Sequence, residues 1–121
     1  MIGIGIDAVE ISRFRQVLTR RPLIADRLFT DSERAYGAHA VDGAPRLAVR
    51  FAAKEAVMKA LGVGVGAFGF HDVEVVSAAS GQPSLVLSGR AAALAADRGV
   101  ARWHLSLTHT DVSAVAVAVA L

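Results

Sequence analysis

Three places along the chain bring together side chains able to do chemistry. In the run Arg50-Phe-Ala-Ala-Lys54-Glu55-Ala-Val-Met-Lys59 a carboxylate lies between the only two lysines of the sequence, and Gly62, Gly64 and Gly66 follow directly. Such cations neutralise phosphate oxygens, and a glycine-rich loop can turn backbone N–H groups toward them without side chains intruding. As a nucleotide signature the run is weak, because its glycines follow the helix instead of preceding it. Near the N-terminus, Asp7 stands in a strand-like segment behind Gly3 and Gly5, where strand propensity disfavours an acid. Together with Glu55 it could give two hard oxygen ligands to Mg²⁺, an ion that keeps several waters and completes its shell with substrate phosphates. Near the C-terminus, His109 could serve as a phosphate contact or a proton carrier, with Asp111 close enough in sequence to orient it.

Each of these has an ordinary alternative. Glu55 and Lys59, at i and i+4, suit a helix-surface pair worth a few tenths of a kcal/mol, about 0.3. Asp7 suits a solvated surface. His109, in the alternation of Trp103, Leu105 and Leu107, suits a buried, hydrogen-bonded ring or a plain turn residue.

The elements that must position these groups can be read from periodicity. Ile2 to Val9 alternates as a strand whose Gly3/Gly5/Asp7 face is open to close approach by a ligand or another backbone. Ile11 to Arg20 is a basic amphipathic helix stopped near Pro22, followed by a short helical stretch from Leu23 to Phe29. Thr30 with Glu33 forms a capping box that opens a helix through about Ala40. Pro45 begins the longest helix, which runs to Leu61 and ends at Gly62. Within it Leu47, Phe51, Met58 and Leu61 form an apolar stripe that contains Lys54, so this lysine must be paired, snorkel outward or face a polar cleft. Strands are predicted over Phe70–Ser77 and Ser84–Ser88, joined by a turn with Gly81 and Pro83. A helix from Ala91 to Arg98 and a hairpin of Arg102–Thr108 with Ser113–Leu121 complete an α+β domain, its helices packed on a mostly antiparallel sheet.

Composition narrows the function classes. A chain of 121 residues, 54% hydrophobic and 20% charged, is expected to form one domain over 1–121 with a real core. Its aromatic content of 6% makes that core one of small aliphatic side chains, and a site shared between subunits is one remedy for so short a chain. Without cysteine there are no disulfides, thiolate metal sites or cysteine nucleophiles. No leader-like or bilayer-length apolar run is present, so a cytoplasmic protein with no membrane partner is expected. Residues 1–60 hold ten Lys/Arg against seven Asp/Glu, and the remainder three against four, which places the positive excess in the first half. A net charge of +2 with no basic run argues against nucleic acid as a partner.

Three segments together resemble one family. Gly3-Ile-Gly-Ile-Asp7-Ala-Val-Glu10-Ile-Ser-Arg13-Phe14, Arg50-Phe-Ala-Ala-Lys54-Glu55-Ala-Val-Met-Lys59-Ala-Leu-Gly62 and Ser106-Leu-Thr-His109-Thr110 are similar to the signature segments of holo-[acyl-carrier-protein] synthases, the short bacterial 4′-phosphopantetheinyl transferases. The order is that of the family, and the similarity covers the whole chain. The resemblance implies the 4′-phosphopantetheinyl transferase fold and transfer of the phosphopantetheine arm of coenzyme A to a serine of apo acyl carrier protein. Adenosine 3′,5′-bisphosphate would be released, in fatty acid or polyketide biosynthesis. It implies Mg²⁺ held by Asp7 and Glu55, with Lys54 and Lys59 on phosphates and Lys59 stabilising the leaving group. Arg50 and His109 would lie near the 3′-phosphate, Gly81 and Pro83 beside the adenine, and Gly62, Gly64 and Thr110 along the coenzyme. Arg13 would dock the acidic carrier protein, and Arg20 and Arg27 could add steering charge, while a solvated helix face is the ordinary reading of Arg15, Arg20 and Arg21 taken singly. A homotrimer with sites at its subunit interfaces is implied as well. The serine proton would pass to Glu55 or to a metal-bound water, and Asp111 is a secondary candidate. The competing class is a catalytically silent module that binds coenzyme A or a carrier protein; such a module would not need the two carboxylates.

Overall fold

The computed structural model describes residues 1–121. Strand β1 (Gly3–Glu10) leads directly into helix α1 (Ile11–Arg20), followed by α2 (Ile24–Leu28), α3 (Asp31–Ala38) and the 17-residue α4 (Ala44–Ala60). A short 3₁₀ turn (Phe70–Asp72) precedes β2 (Val73–Ser77) and β3 (Pro83–Leu87); α5 (Gly89–Asp97), β4 (Trp103–His109) and β5 (Ser113–Ala120) close the chain. The single sheet expected from the sequence is divided in two. One has three antiparallel strands in the order β1-β5-β4, and the other is the antiparallel pair β2-β3.

The centre of the fold is α4 lying across β1 and β5, and small residues make that close contact possible. In β5 alternate residues Ala114, Ala116, Ala118 and Ala120 are fully buried, as are Ala52, Ala53 and Ala56 on the helix. On β1 the approach is closer still. A Cβ built on Gly5 would lie 1.9 Å from the carbonyl oxygen of Ala56, and one on Gly3 would meet the carbonyl of Ala60. The expected close approach to the glycine face is therefore made by a helix backbone, which sets Asp7, on the same face, beside α4.

On the opposite face of this sheet β1 and β5 present apolar side chains that the single chain leaves uncovered, and β4 adds the exposed His104, Ser106 and Thr108 beside them. Ile4 and Ile6, each 59% exposed, pair in register with Val119 and Val117 of the central strand.

Local signals mostly hold. The Thr30–Glu33 capping box is present with both of its hydrogen bonds, and Gly62, at φ +72°, donates its N–H to the Lys59 carbonyl (3.1 Å) to close α4. One strand boundary is corrected. Phe70–Asp72 turns as a 3₁₀ segment because the Asp72 N–H bonds back to the Gly69 carbonyl, while the Asp72 carboxylate accepts from the Arg90 N–H at the start of α5.

Candidate active site

Asp7, from the middle of β1, and Glu55, from the middle of α4, line the same cleft, a cavity of about 690 Å³ between β1, α1, α2 and α4. Both are held there by the tight β1–α4 contact. Lys59, one turn beyond Glu55, donates to Asp7 Oδ1 at 3.1 Å and to the Ile6 carbonyl at 3.0 Å. The helix-surface pair of Glu55 with Lys59 is thus replaced by a cross-element pair of Lys59 with Asp7. Burial raises the Glu55 pKa above the ordinary carboxylate range, the charge of Asp7 raises it further, and Lys59 opposes them with a smaller effect. Two carboxylates facing one cavity, only one of them held in an ion pair, suit a hard cation. No group of three or more His, Asp or Glu side chains placed to hold a metal ion forms in the chain.

The floor of this cleft is aromatic. Phe14, Phe51 and Phe70 form a row with centroid spacings of 5.5 and 5.9 Å, and Phe29 meets Phe14 edge-on behind it. Four of the five phenylalanines are thereby concentrated here. The rim is basic. Arg13 and Val17 follow at i+4 spacing along one face of α1, Arg21 continues the row from the residue that caps it, and Arg27 joins them from α2. Arg21 lines the cleft and Arg20 does not, because the helix phase puts Arg20 on another face. Arg15 is engaged elsewhere, with Asp42 at 2.6 Å.

A second cleft of about 460 Å³ gathers Arg50, His109, Gly81 and Pro83. It shares no lining residue with the first. His109 ends β4 and is exposed, neither a buried ring nor a turn residue. Arg50 is 4% exposed and donates to Ser77 Oγ at 3.1 Å. Gly81, at φ +88°, makes the tight turn between β2 and β3 that keeps Pro83 at the rim.

Other expected site residues lie elsewhere. Lys54 is a correction: its side chain is fully buried, and its ammonium is bound by Glu33 at 2.8 Å, by the Phe70 carbonyl at 2.9 Å and by the Val73 carbonyl. Desolvation lowers its pKa and Glu33 opposes this, so the group is a buried clamp with no access to a phosphate. Gly62 shapes the helix end and Gly64 borders neither cleft; Val65 is the loop residue that reaches the first. Thr110 uses its hydroxyl oxygen to accept the N–H groups of Val112 and Ser113, which holds the β4–β5 turn, and Asp111 is exposed in that turn. Sequence reasoning misses Glu33 as the partner of Lys54, because a capping box explains a glutamate at that spacing without any further role. It also passes over Tyr36 and Arg46, which line the second cleft.

A family model described as "4′-phosphopantetheinyl transferase superfamily" matches residues 3–120. The chain belongs to this superfamily. It is 49% identical to the holo-[acyl-carrier-protein] synthase of Salinispora arenicola, over 99% of this chain and 98% of that protein. The crystal structure of the synthase from Neisseria meningitidis superposes with a TM-score of 0.91 at 30% identity, covering 100% of this chain and 98% of that one. The Helicobacter pylori synthase, solved in complex with coenzyme A, superposes with a TM-score of 0.86 at 29% identity, covering 98% of this chain and 99% of that one. As a phosphopantetheinyl transferase the chain has an α+β fold and is an enzyme. No helix is long and apolar enough to cross a membrane.

Proposed function

We propose that this chain moves the 4′-phosphopantetheine arm of coenzyme A onto a serine of apo acyl carrier protein, releases adenosine 3′,5′-bisphosphate, and does so with Mg²⁺ as its cofactor. The reading rests above all on Asp7 and Glu55 sharing one cleft, with Lys59 bonded to Asp7. Asp7 and Glu55 would hold the metal, with water and diphosphate oxygens as its other ligands. Bound there, Mg²⁺ would withdraw charge from the phosphorus that the serine attacks.

The remaining work falls to side chains. Lys59, whose side chain is 54% exposed, can turn from Asp7 to the phosphate that leaves. Glu55, with its raised proton affinity, accepts the serine proton directly or through one water. The bond formed joins the serine Oγ to the phosphorus on the pantetheine side of the diphosphate. The bond broken joins that phosphorus to the bridging oxygen, which departs with the adenosine bisphosphate. Arg13, Arg21 and Arg27 form a positive rim above an apolar floor, which suits docking of an acidic carrier protein.

The separation of the clefts supports a homotrimer. Asp7 and Glu55 line one, while Arg50 and His109 line the other, and the exposed Ile4/Ile6/Val117/Val119 sheet face offers the apolar surface through which copies could meet. Contact between copies would then complete the coenzyme site. The setting is cytoplasmic, in fatty acid or polyketide biosynthesis. Chromatography of a reaction with coenzyme A, Mg²⁺ and an apo carrier protein tests the reading: adenosine 3′,5′-bisphosphate must form, and only when the carrier is present. Carrier-independent release, or none, would refute it.

A further inference from the structure

The second cleft holds two cations that no carboxylate of the chain meets at ion-pair distance. Arg46 and Arg50 lie one turn apart on α4, and their guanidinium carbons stand 4.3 and 4.0 Å from the centroid of one ring, that of Tyr36. Arg46 also donates to the Tyr36 carbonyl at 2.9 Å, so a single residue of α3 fixes both the ring and the guanidinium packed on it. Arg50 directs one Nη at the Arg46 carbonyl (3.4 Å) and the other at Ser77 Oγ, leaving its Nε buried without a partner. Neither arginine belongs to any ion pair. Native folds seldom leave a buried charged donor unmet, and stacking two like charges on one ring is unfavourable unless an anion joins them.

The chemistry of the two donors selects the anion. Planar guanidinium forks match the oxygens of a phosphate, and a terminal phosphomonoester, a dianion with three free oxygens, takes both better than a diester that carries one charge per phosphorus. We propose that Arg46 is a specificity-determining residue of this enzyme, joining Arg50 on the 3′-phosphate and so making the chain choose coenzyme A over 3′-dephospho-coenzyme A, with Tyr36 as the positioning residue that aligns both guanidinium groups. The proposal rests on the function proposed above. It goes beyond the sequence-based assignment, which places Arg50 and His109 near this phosphate and gives Arg46 and Tyr36 no role.

The test compares the two coenzymes as substrates. Loss of one charge-assisted contact predicts that Arg46→Ala raises the KM for coenzyme A about tenfold or more and shifts that for 3′-dephospho-coenzyme A by less than about twofold. Tyr36→Leu should lose part of the same selectivity, and Tyr36→Phe should keep it. An equal change toward both coenzymes in Arg46→Ala would overturn the proposal. Should that variant not fold, Arg46→Lys, which keeps the charge without the planar fork, carries the same comparison. Calorimetry with adenosine 3′,5′-bisphosphate against adenosine 5′-monophosphate separates the two levels of the argument. If the unmodified chain neither transfers nor binds either nucleotide, the proposed function fails. If it binds with selectivity that Arg46→Ala leaves intact, only the role of Arg46 fails.

Discussion

Lys59 Nζ lies 3.1 Å from Asp7 Oδ1, across 52 residues of chain, and makes no ion pair with Glu55 one helical turn away. Glu55 is thereby left with burial and a like charge acting on it and only a partial offset from the lysine.

This predicts a shifted titration. With a raised pKa, Glu55 keeps its proton to higher pH than an ordinary glutamate, so the ionised form needed to hold a cation or accept a proton grows in as pH rises through that elevated value. Transfer activity should climb along the same limb. Asp7→Asn removes a like charge and should move the Glu55 carboxyl titration, followed by carbon-13 NMR, to lower pH. Lys59→Met removes the opposing cation and should move it to higher pH. Shifts in the reverse directions would contradict the arrangement.

The approach of β1 to α4 gives a second test. Gly5→Ala must push the Ala56 carbonyl away, a backbone displacement with a cost of about 3 kcal/mol or more on the scale of overpacked cores. The displacement separates Asp7 from Glu55 and Lys59 as well. Urea denaturation should show the lost stability, and Mg²⁺ titration of the folded fraction should show weakened binding. Full stability with full activity would mean that the close contact does not set the site.

Lys54 makes a third, since a buried clamp and a phosphate contact behave differently when removed. Lys54→Met leaves Glu33 buried with its charge unpaired, which costs about 3–5 kcal/mol. Glu33→Gln should also destabilise, and the double variant should lose less than the two single losses combined, measured by urea denaturation at one chain concentration. A Lys54→Met chain of normal stability with a raised KM for coenzyme A would restore the phosphate role.

A fourth concerns assembly. Ile4→Glu places a charge among the exposed apolar side chains of β1 and β5 without touching either cleft. Light scattering coupled to size exclusion should give a trimer for the unmodified chain and a monomer with little transfer activity for the variant. An active monomer would show that one chain holds a complete site.

Elements with strong local punctuation are legible in the amino-acid sequence alone. The Thr30–Glu33 box, the Gly62 stop and the alternation of β5 each depend on neighbours along the chain, and each is where the pattern puts it. Asp7, Glu55, Arg13, Arg50 and His109 are legible too, through residue type and family resemblance, and each lines a cleft. The partners of Lys54 are not, because Glu33 is 21 residues away and the two carbonyls belong to a turn that only tertiary packing defines. The same holds for the Tyr36–Arg46–Arg50 stack, whose ring comes from a separate helix. Periodicity identifies Lys54 as a lysine in need of compensation without indicating what supplies it.

The intact mass of an apo acyl carrier protein, recorded before and after incubation with this chain, coenzyme A and Mg²⁺, tests the central claim most directly. The account predicts a gain of one phosphopantetheine per carrier, abolished by Glu55→Gln in a chain that still folds and by removal of the divalent metal. An unchanged mass across several carrier proteins, or a full gain with Glu55→Gln, would contradict it.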